Sequence, residues 1–478
     1  MKTPTFAHFT TVGKQPLPTI ENLEITAAGA EGNSLGRWNE QVVFVRRSVP
    51  GDVVNVKVFS KKKKLLEAEI LEIVKPSPDR VEPFCEHFGV CGGCKWQQMD
   101  YAAQLKYKHQ MVLDAFARIG KVETGEVLPI RGCELNRFYR NRLDFAFSNK
   151  RWLQNHEMGM DLEGSMNAAG FHISGRFDKV LDVNKCWLQD DLTNTIRNSV
   201  KTYALEKGYA FFDLKEQHGL MRGLIVRNST LGEWMAIMMF HGHDKEAMED
   251  ILGFMERSFP QITSLLYVIN NKRNDTIYDQ DVLVWKGKDH MLETLGGLTF
   301  KIRPKSFFQT NTRQAEVLYS VTKEFAGLTG SETVYDLYTG TGTIANYLAK
   351  SAKKVVGVEY IEQAIEDARE NSALNDITNT VFYAGDMKDV LNDAFVTANG
   401  RPDVIITDPP RAGMHEDVVK KICEIAPEKV VYVSCNPATQ ARDLALMKDV
   451  YEVVKIQPVD MFPHTSHVEN VALLRRKN

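Results

Sequence analysis

The sequence predicts an α/β protein in three parts: a small N-terminal β-barrel, a mixed α+β middle, and a C-terminal doubly wound, mostly parallel sheet. Three observations carry this. From Val334 onward, short β-prone runs alternate with helical stretches, the pattern of a parallel sheet covered on both faces. From about Pro18 to Val74 there are only short, partly alternating strands and a Pro50-Gly51 turn, which suits a small barrel of the OB type. Between these parts strands and helices mix, and cysteines gather at the spacing C-x5-C-x2-C. The length, 478 residues, allows several domains, placed at 15–75, 76–300 and 301–478.

Composition narrows the class. With 43% hydrophobic and 25% charged residues the chain is an ordinary globular protein. Its net charge of -3 excludes a polycation, so a nucleic-acid surface must be a local patch. Met1 to Lys14 lacks the apolar core of a signal peptide, and no run is long enough to span a bilayer. A cytoplasmic location without membrane contact is expected. Seven cysteines in such a chain are expected to be thiols, ligands or nucleophiles rather than disulfides; Cys133 and Cys423 lack a partner motif and are assigned to packing.

In the barrel, the strands are placed at residues 41–45, 52–58 and 68–73. Between Arg37 and Lys75 there are nine Lys or Arg against five Asp or Glu, with Lys61 to Lys64 at a loop. A small basic barrel can hold a phosphate backbone, although a lysine loop can also serve only solubility. Tyr101 to Ile119 is predicted as an amphipathic helix. Farther on, Arg137, Arg140, Asn141, Arg142, Arg222 and Arg227 either line an RNA groove or are ordinary surface charge.

The segment Phe84-Cys85-Glu86-His87-Phe88-Gly89-Val90-Cys91-Gly92-Gly93-Cys94 supplies three thiols, and Cys186 is the candidate fourth. Glycines between thiols let backbone wrap closely around a ligated centre. Four cysteines hold either an iron–sulfur cluster or zinc. Structural zinc sites usually pair short spacings, whereas one ligand here is far down the chain, which favours a [4Fe-4S] cluster over zinc. A redox Cys-x-x-Cys is a third reading, without a surrounding βαβ pattern to support it.

In the C-terminal part, Val334-Tyr335-Asp336-Leu337 is a strand leading into Tyr338-Thr339-Gly340-Thr341-Gly342 and a helix from Thr343. A glycine turn there lets backbone approach a ligand. The next strand, 354–359, ends on Glu359, placed for two ribose hydroxyls. Asp386 follows the third strand and can accept from an adenine amine. The short loop lacks the third glycine of the pyrophosphate fingerprint, which favours S-adenosylmethionine over a dinucleotide. The fourth strand ends in Asp408-Pro409-Pro410, similar to methyltransferases that act on nucleobases.

The strand Val431-Tyr432-Val433 stops at Ser434-Cys435-Asn436-Pro437, so a thiol is presented where a buried strand becomes a loop. Taken alone it would be a packed cysteine. Beside a methyl-donor site it is a nucleophile candidate. Uracil C5 is a poor nucleophile until a thiolate adds to C6, and a base must afterwards remove the C5 proton. Glu469, in His464-Thr465-Ser466-His467-Val468-Glu469, is the base candidate. Asp408 would contact the pyrimidine edge or position the thiol, and Arg411 would anchor the base or a phosphate or form a plain salt bridge.

Together Cys85-x5-Cys91-x2-Cys94 with Cys186, Phe307-Phe308-Gln309-Thr310-Asn311, Asp336-Leu337-Tyr338-Thr339-Gly340, Asp408-Pro409-Pro410-Arg411, Ser434-Cys435-Asn436-Pro437 and His467-Val468-Glu469 make the chain resemble the bacterial S-adenosylmethionine-dependent RNA uracil-5-methyltransferases. The closer resemblance is to the iron–sulfur branch that modifies 23S ribosomal RNA. It covers nearly the whole chain and implies a TRAM-type barrel and a Rossmann-like methyltransferase domain. It further implies that Gln309, Tyr338, Glu359, Asp408 and Asp386 contact S-adenosylmethionine, that Cys435 is the nucleophile and that Glu469 is the proton acceptor. The cluster would lie away from the chemistry, in a structural or RNA-docking role. Thr339 and Thr343 depart from the family's frequent Cys and Asn, which puts a Thr343 cofactor contact in doubt. The implied partner is large-subunit ribosomal RNA, bound by a monomer that flips its target base. Alternatives are the same chemistry on tRNA and an iron–sulfur RNA-binding protein without activity. RNA cytosine-5 methylation would bring a further cysteine after the Asp-x-Pro, where Pro410-Arg411-Ala412 stands.

Overall fold

The computed structural model describes residues 17–63, 65–154, 157–158 and 166–478. The Met1–Lys14 segment and Lys64 of the lysine run lie outside the described residues. The chain divides into two compact units, one running through Glu82 with Gln98–Asp100, the other formed by Pro83–Gln97 and Tyr101–Asn478.

The first unit is a closed barrel. Its strands are β1 (Thr19–Ala28), β2 (Ser34–Trp38), β3 (Gln41–Arg46), β4 (Val53–Lys62) and β5 (Leu65–Lys75). They close in the order β1-β2-β3-β5-β4, with β3 and β5 parallel and the other neighbouring pairs antiparallel. Strand pleating sends alternate residues inward, so Val43, Val45, Val54 and Val56 are fully buried. Asp52 staples the end of the barrel: its carboxylate accepts from the Val49 and Ser77 N–H groups (2.7 and 2.9 Å) and from Arg80 (2.5 Å). Lys61 and Lys62 close β4, and Lys63 turns with φ 52°.

The second unit begins with helix α1 (Tyr101–Ala115) and strand β6 (Thr124–Val127). A seven-stranded sheet follows from β7 (Arg142–Ser148), β8 (Ala168–Ile173), β9 (Arg176–Asp182), β10 (Met221–Asn228), β11 (Trp234–Phe240), β12 (Ile262–Ile269) and β13 (Val282–Gly287). Its order is β13-β12-β11-β10-β7-β8-β9. Helices α2 (Asp191–Glu206) and α3 (Lys245–Ser258) bury Ile196, Val200, Ile251 and Leu252 in its core. Next come a hairpin of β14 (Met291–Leu295) and β15 (Leu298–Ile302) and helix α4 (Thr312–Ala326).

The remaining chain alternates as the sequence predicts: β16 (Thr333–Leu337), α5 (Thr343–Ala349), β17 (Lys354–Glu359), α6 (Glu362–Leu374), β18 (Thr380–Ala384), α7 (Met387–Val390), α8 (Asp393–Asn399), β19 (Val404–Thr407), α9 (Glu416–Ile425), β20 (Lys429–Ser434), α10 (Pro437–Met447), β21 (Tyr451–Val459) and β22 (Glu469–Arg476). The sheet order is β18-β17-β16-β19-β20-β22-β21-β6. Its five successive strands from β18 to β20 are parallel, and β22 runs against both neighbours. Because both faces are covered, these strands are continuous apolar runs; Val355, Val356, Ile405, Ile406, Val430 and Val431 are fully buried.

Three sequence expectations differ in detail. Helix α1 ends at Ala115 and continues as one wider turn over Phe116–Gly120, and its buried stripe contains Gln104 and Lys108. Strand β6 was not foreseen: Thr-Gly-Glu-Val carries no strand pattern, and its pairing with β21 is fixed by residues more than three hundred positions away. Arg222 and Arg227 are neither groove nor surface but buried at 1% exposure. Arg222 holds Asp275 and the Asn270 carbonyl, and Arg227 bonds the carbonyls of Arg303 and Ser306.

Candidate active site

The glycine turn lies at the carboxyl end of β16, beside the ends of β17 and β19, the place where doubly wound parallel sheets bind ligands. Tyr338 leaves β16 with φ 63°, and Gly340 and Gly342 follow at 55° and 74°. At Gly342 a Cβ would come within 2.9 Å of Ala368, whereas at Gly340 it would meet nothing within 4 Å. The turn therefore leaves open space above Gly340, a cradle for a ligand. The carboxylate of Glu359 is fixed beside it, accepting from the N–H groups of Gly340 (3.2 Å) and Ile361 (3.1 Å). Under the turn, buried Asp336 accepts from the Thr339 hydroxyl at 2.5 Å, and burial pushes its pKa up to about 7.

Three large apolar side chains near this turn are left uncovered. Phe307, Tyr360 and Ile361 are 65%, 72% and 57% exposed. Phe307 is tied to the turn by the Thr341 hydroxyl, which donates to its carbonyl (3.5 Å). Tyr360 and Ile361 directly follow Glu359. Uncovered apolar groups beside a fixed carboxylate suit the base and ribose of a nucleoside. Gln309 is anchored by its backbone, the carbonyl accepting from Asn141 (2.9 Å), and its side chain and that of Thr343 lie beside the buried Tyr319 hydroxyl. Asp386 sits at the end of β18 but caps α7, accepting from the Lys388 N–H (3.2 Å) and pairing with its ammonium (3.1 Å).

Cys435, Glu469 and Asp408 come together one strand pair away. The last registered pair between β20 and β22 is Ser434 with Asn470. One residue further along each antiparallel strand, Cys435 stands opposite Glu469. Asp408 leaves β19, the neighbour of β20. The turn after Ser434 is stiff: the Ser434 hydroxyl bonds both the carbonyl and the N–H of Asn436 (3.2 Å each), and Asn436 caps α10 ahead of Pro437. Asn436 also donates to the Arg411 carbonyl (3.1 Å), while the Arg411 guanidinium donates to His467 Nδ1 (2.8 Å).

Electrostatics bind these side chains into one cluster. Burial, then the Asp408 charge, raises the Glu469 carboxyl to about 8, with Arg411 opposing. Burial, then Asp336, raises Asp408 to about 7. Burial, then Glu469 and Asp408, pushes the Cys435 thiol up to about 12, again with Arg411 opposing. A negative charge on any one of the three disfavours the others. Such a site is short of positive charge, which a sulfonium would supply.

Apart from Asn311 of the Phe307–Asn311 motif, the loop that delivers Glu469 is clamped by residues the sequence did not single out. Lys108 and Asp460, both fully buried, pair at 2.6 Å, and Lys108 also donates to the Phe462 carbonyl (3.0 Å). Tyr101 donates to Asp460 (2.9 Å), and Asn311 donates to the Met461 carbonyl (2.9 Å). Gln104 accepts from the His464 N–H (2.8 Å). The Lys95 and Trp96 N–H groups donate to the His464 carbonyl (2.8 and 3.0 Å). The available signal was two polar residues, Gln104 and Lys108, four apart on one helix face, a helix-surface pair that resembles solvated charge until the loop covers it. Cys133, assigned to packing, donates to the Asp460 carbonyl (3.0 Å) within the same clamp.

Cys85, Cys91, Cys94 and Cys186 line a single cavity of about 210 Å³, and all seven cysteines are free thiols. Burial raises the pKa of all four thiols above the ordinary value. Among the described residues no group of three or more His, Cys, Asp or Glu is gathered tightly enough for a single metal ion. No helix of the described residues is long and apolar enough to cross a membrane.

Comparison with known proteins agrees with this geometry. Residues 288–477 match the tRNA (uracil-5-)-methyltransferase family model, and residues 19–71 match the TRAM domain. An uncharacterised RNA methyltransferase of Bacteroides thetaiotaomicron is 57% identical over 93% of this chain and 99% of its own. One from Chlorobaculum tepidum is 40% identical over 96% of each chain. The crystal structure of the Pyrococcus abyssi tRNA (uracil-54, C5)-methyltransferase with S-adenosyl-L-homocysteine superposes with a TM-score of 0.73 at 28% identity, covering 95% of this chain and all of that one. The glycine turn, the fixed Glu359 carboxylate and the sheet order thus belong to a methyltransferase with an N-terminal TRAM barrel, and the chain is a member of the S-adenosylmethionine-dependent RNA uracil-5-methyltransferase family.

Proposed function

We propose that the enzyme methylates C5 of a specific uridine in 23S-type ribosomal RNA through a covalent bond between Cys435 and C6, with Glu469 removing the C5 proton. The observation that carries the chemistry of this reading is the strand register that sets Cys435 opposite Glu469, one strand over from Asp408. S-adenosylmethionine, when bound, supplies an electrophilic methyl on a sulfonium. The Cys435 sulfur bonds C6, its proton passes to a carboxylate of the cluster, and the C5–C6 π electrons move onto O4. C5 then takes the methyl, its electrons displacing a neutral thioether. Glu469 accepts the C5 proton, the C5–C6 double bond reforms, and the C6–S bond breaks to return the thiolate. Asp408 faces the pyrimidine edge. Gln309, Tyr338, Glu359 and Asp386 hold the cofactor; of these, Asp386 would have to share its helix-capping role. The central part at 76–300 and the barrel at 15–75 hold flanking RNA while 301–478 perform the chemistry, and the enzyme acts as a cytoplasmic monomer.

Cys85, Cys91, Cys94 and Cys186 hold a [4Fe-4S] cluster in this reading. A lone zinc needs all four sulfurs about 2.3 Å from one point, whereas a cube of iron and sulfide accepts thiols spread around a cavity. The cluster supplies no step of the methylation. Anaerobically purified protein that is colourless and iron-free would end this assignment, with zinc the next candidate.

Nucleoside mass spectrometry of ribosomal and transfer RNA from a deletion strain tests the substrate. Loss of 5-methyluridine from large-subunit RNA supports the proposal. Loss from tRNA alone favours a second reading, the same chemistry on tRNA, which the likeness to the tRNA (uracil-5-)-methyltransferase family and to the P. abyssi tRNA enzyme supports. Unchanged 5-methyluridine in both pools refutes each.

A further inference from the structure

Among the described residues, three aromatic rings hang from a backbone in the left-handed region: Phe138 (φ 54°), Tyr338 (63°) and His464 (65°). For a bulky residue that conformation is strained and persists only where the surroundings enforce it. Tyr338 opens the cofactor turn, and His464 belongs to the loop before Glu469. Phe138 has no such role in the chemistry, yet it is enforced just as firmly: its N–H donates to the Trp187 carbonyl (2.8 Å), and the Arg140 N–H donates to the Leu188 carbonyl (2.7 Å). The strain buys no core, because Phe138 is 41% exposed.

The ring stands in an assembly of like parts. Phe138 meets Trp187 with centroids 5.7 Å apart, and Trp187 meets Phe84 at 5.9 Å. The Arg137 guanidinium lies 3.9 Å from the Phe84 centroid and 5.6 Å from that of Trp187, and the Lys185 ammonium lies 4.3 Å from the Trp187 centroid. Lys185 also pairs with exposed Asp191 (3.2 Å). The assembly adjoins the active site on two sides. Phe84 packs edge-on against His464 at 5.0 Å, and Asn141, at the other end of the same segment, bonds the backbone of Gln309 and Thr310.

We propose that Phe138, Trp187 and Phe84, flanked by Arg137 and Lys185, form a platform on which an unpaired base of the RNA substrate stacks beside the flipped uridine, its phosphates facing the two cations. The proposal deepens the uridine-methylation reading and rests on it for the position of the target. Sequence-tolerant stacking on aromatic faces with adjacent cations is how proteins hold single-stranded nucleic acid. A site for an acidic protein would not need an exposed ring held open by backbone strain, as Phe138 is. The platform residues Phe84, Lys185 and Trp187 directly flank Cys85 and Cys186 in the chain.

The test uses the full-length protein and a short fluorescein-labelled oligouridylate. Phe138→Gly removes the ring while suiting the left-handed backbone, so its melting temperature should not fall. Its affinity for the oligonucleotide should drop about ten- to a hundredfold, with S-adenosylhomocysteine affinity unchanged and Phe138→Tyr retaining most of the binding. Arg137→Gln should lower the slope of log affinity against log salt by about 0.7. Oligonucleotide affinities equal to the native protein's in both Phe138→Gly and Arg137→Gln would overturn the platform. Wild-type protein that methylates neither ribosomal nor transfer RNA would instead sink the methylation reading, and the binding comparison would still decide the platform.

Discussion

In the proposed mechanism the raised Glu469 carboxyl makes the release step pH-dependent in a calculable way. Glu469 must be ionised to take the C5 proton, and its carboxyl is pushed up to about 8 by burial and by Asp408. At that moment the cofactor is already a neutral thioether, so no sulfonium charge pulls the value down. About a tenth of the enzyme then carries the active base at pH 7 and about nine-tenths at pH 9, so breakdown of the covalent adduct should accelerate about tenfold across that interval. Rapid-quench single turnovers, resolving the RNA–protein adduct on denaturing gels between pH 6 and 9, measure this rate apart from methyl transfer. Glu469→Gln should accumulate methylated adduct at every pH. A breakdown rate that is flat from pH 6 to 9, or Glu469→Gln turning over normally without adduct, would refute the assignment.

Four further outcomes follow from the same cluster and its clamp. Cys435→Ala should form no adduct and no 5-methyluridine while binding S-adenosylhomocysteine normally by calorimetry; retained turnover would contradict the mechanism. S-adenosylmethionine should accelerate iodoacetamide labelling of Cys435 about ten- to a hundredfold over S-adenosylhomocysteine, because a unit charge at about 5 Å and an effective dielectric of about 20 is worth about two pKa units; equal labelling, followed by peptide mass spectrometry, would disprove the charge coupling. Glu469 and Asp408 have folded-state values raised above their unfolded ones, so their contribution to stability is fully present below about pH 4 and is lost as pH rises through about 7 to 8. Glu469→Gln should therefore raise the melting temperature at pH 8.5 but not at pH 4, and no difference in a thermal scan would contradict the burial argument. Lys108→Met leaves Asp460 buried without its cation, which should cost about 3–5 kcal/mol in denaturant unfolding and slow adduct breakdown more than adduct formation; equal slowing of both would make Lys108 purely structural.

Much of this molecule was legible in the sequence because its informative patterns are local. Strands 354–359 and 404–407 announce themselves as short apolar runs, buried on both faces. Cys435 is legible because Asn436-Pro437 stops a strand at the thiol, and Asn436 indeed caps α10 with Pro437 in its first turn. Glu359 is legible because an acid follows the second strand, and it is found bonding the glycine turn. These signals need only a few neighbouring residues and the fixed geometry of strand ends.

What escaped depends on partners far along the chain. Lys108 looked like helix-surface charge, and only Asp460, brought back by the final strand pair, turns it into a buried clamp. Arg222 and Arg227 looked like groove or surface residues until distant carbonyls enclosed them. Strand β6 exists because β21 offers an edge, and the Phe138 platform exists because the backbone beside Cys186 holds that ring outward. The sequence by itself determined the alternating sheet, the glycine turn, the thiol at a strand end and the four-cysteine set, because propensity, turn chemistry and spacing act over a few residues. Tertiary structure alone decided that Cys435 faces Glu469, that both share one low-dielectric pocket with Asp408, and which charged side chains are buried, because register, burial and electrostatic coupling arise only when segments hundreds of residues apart exclude water together.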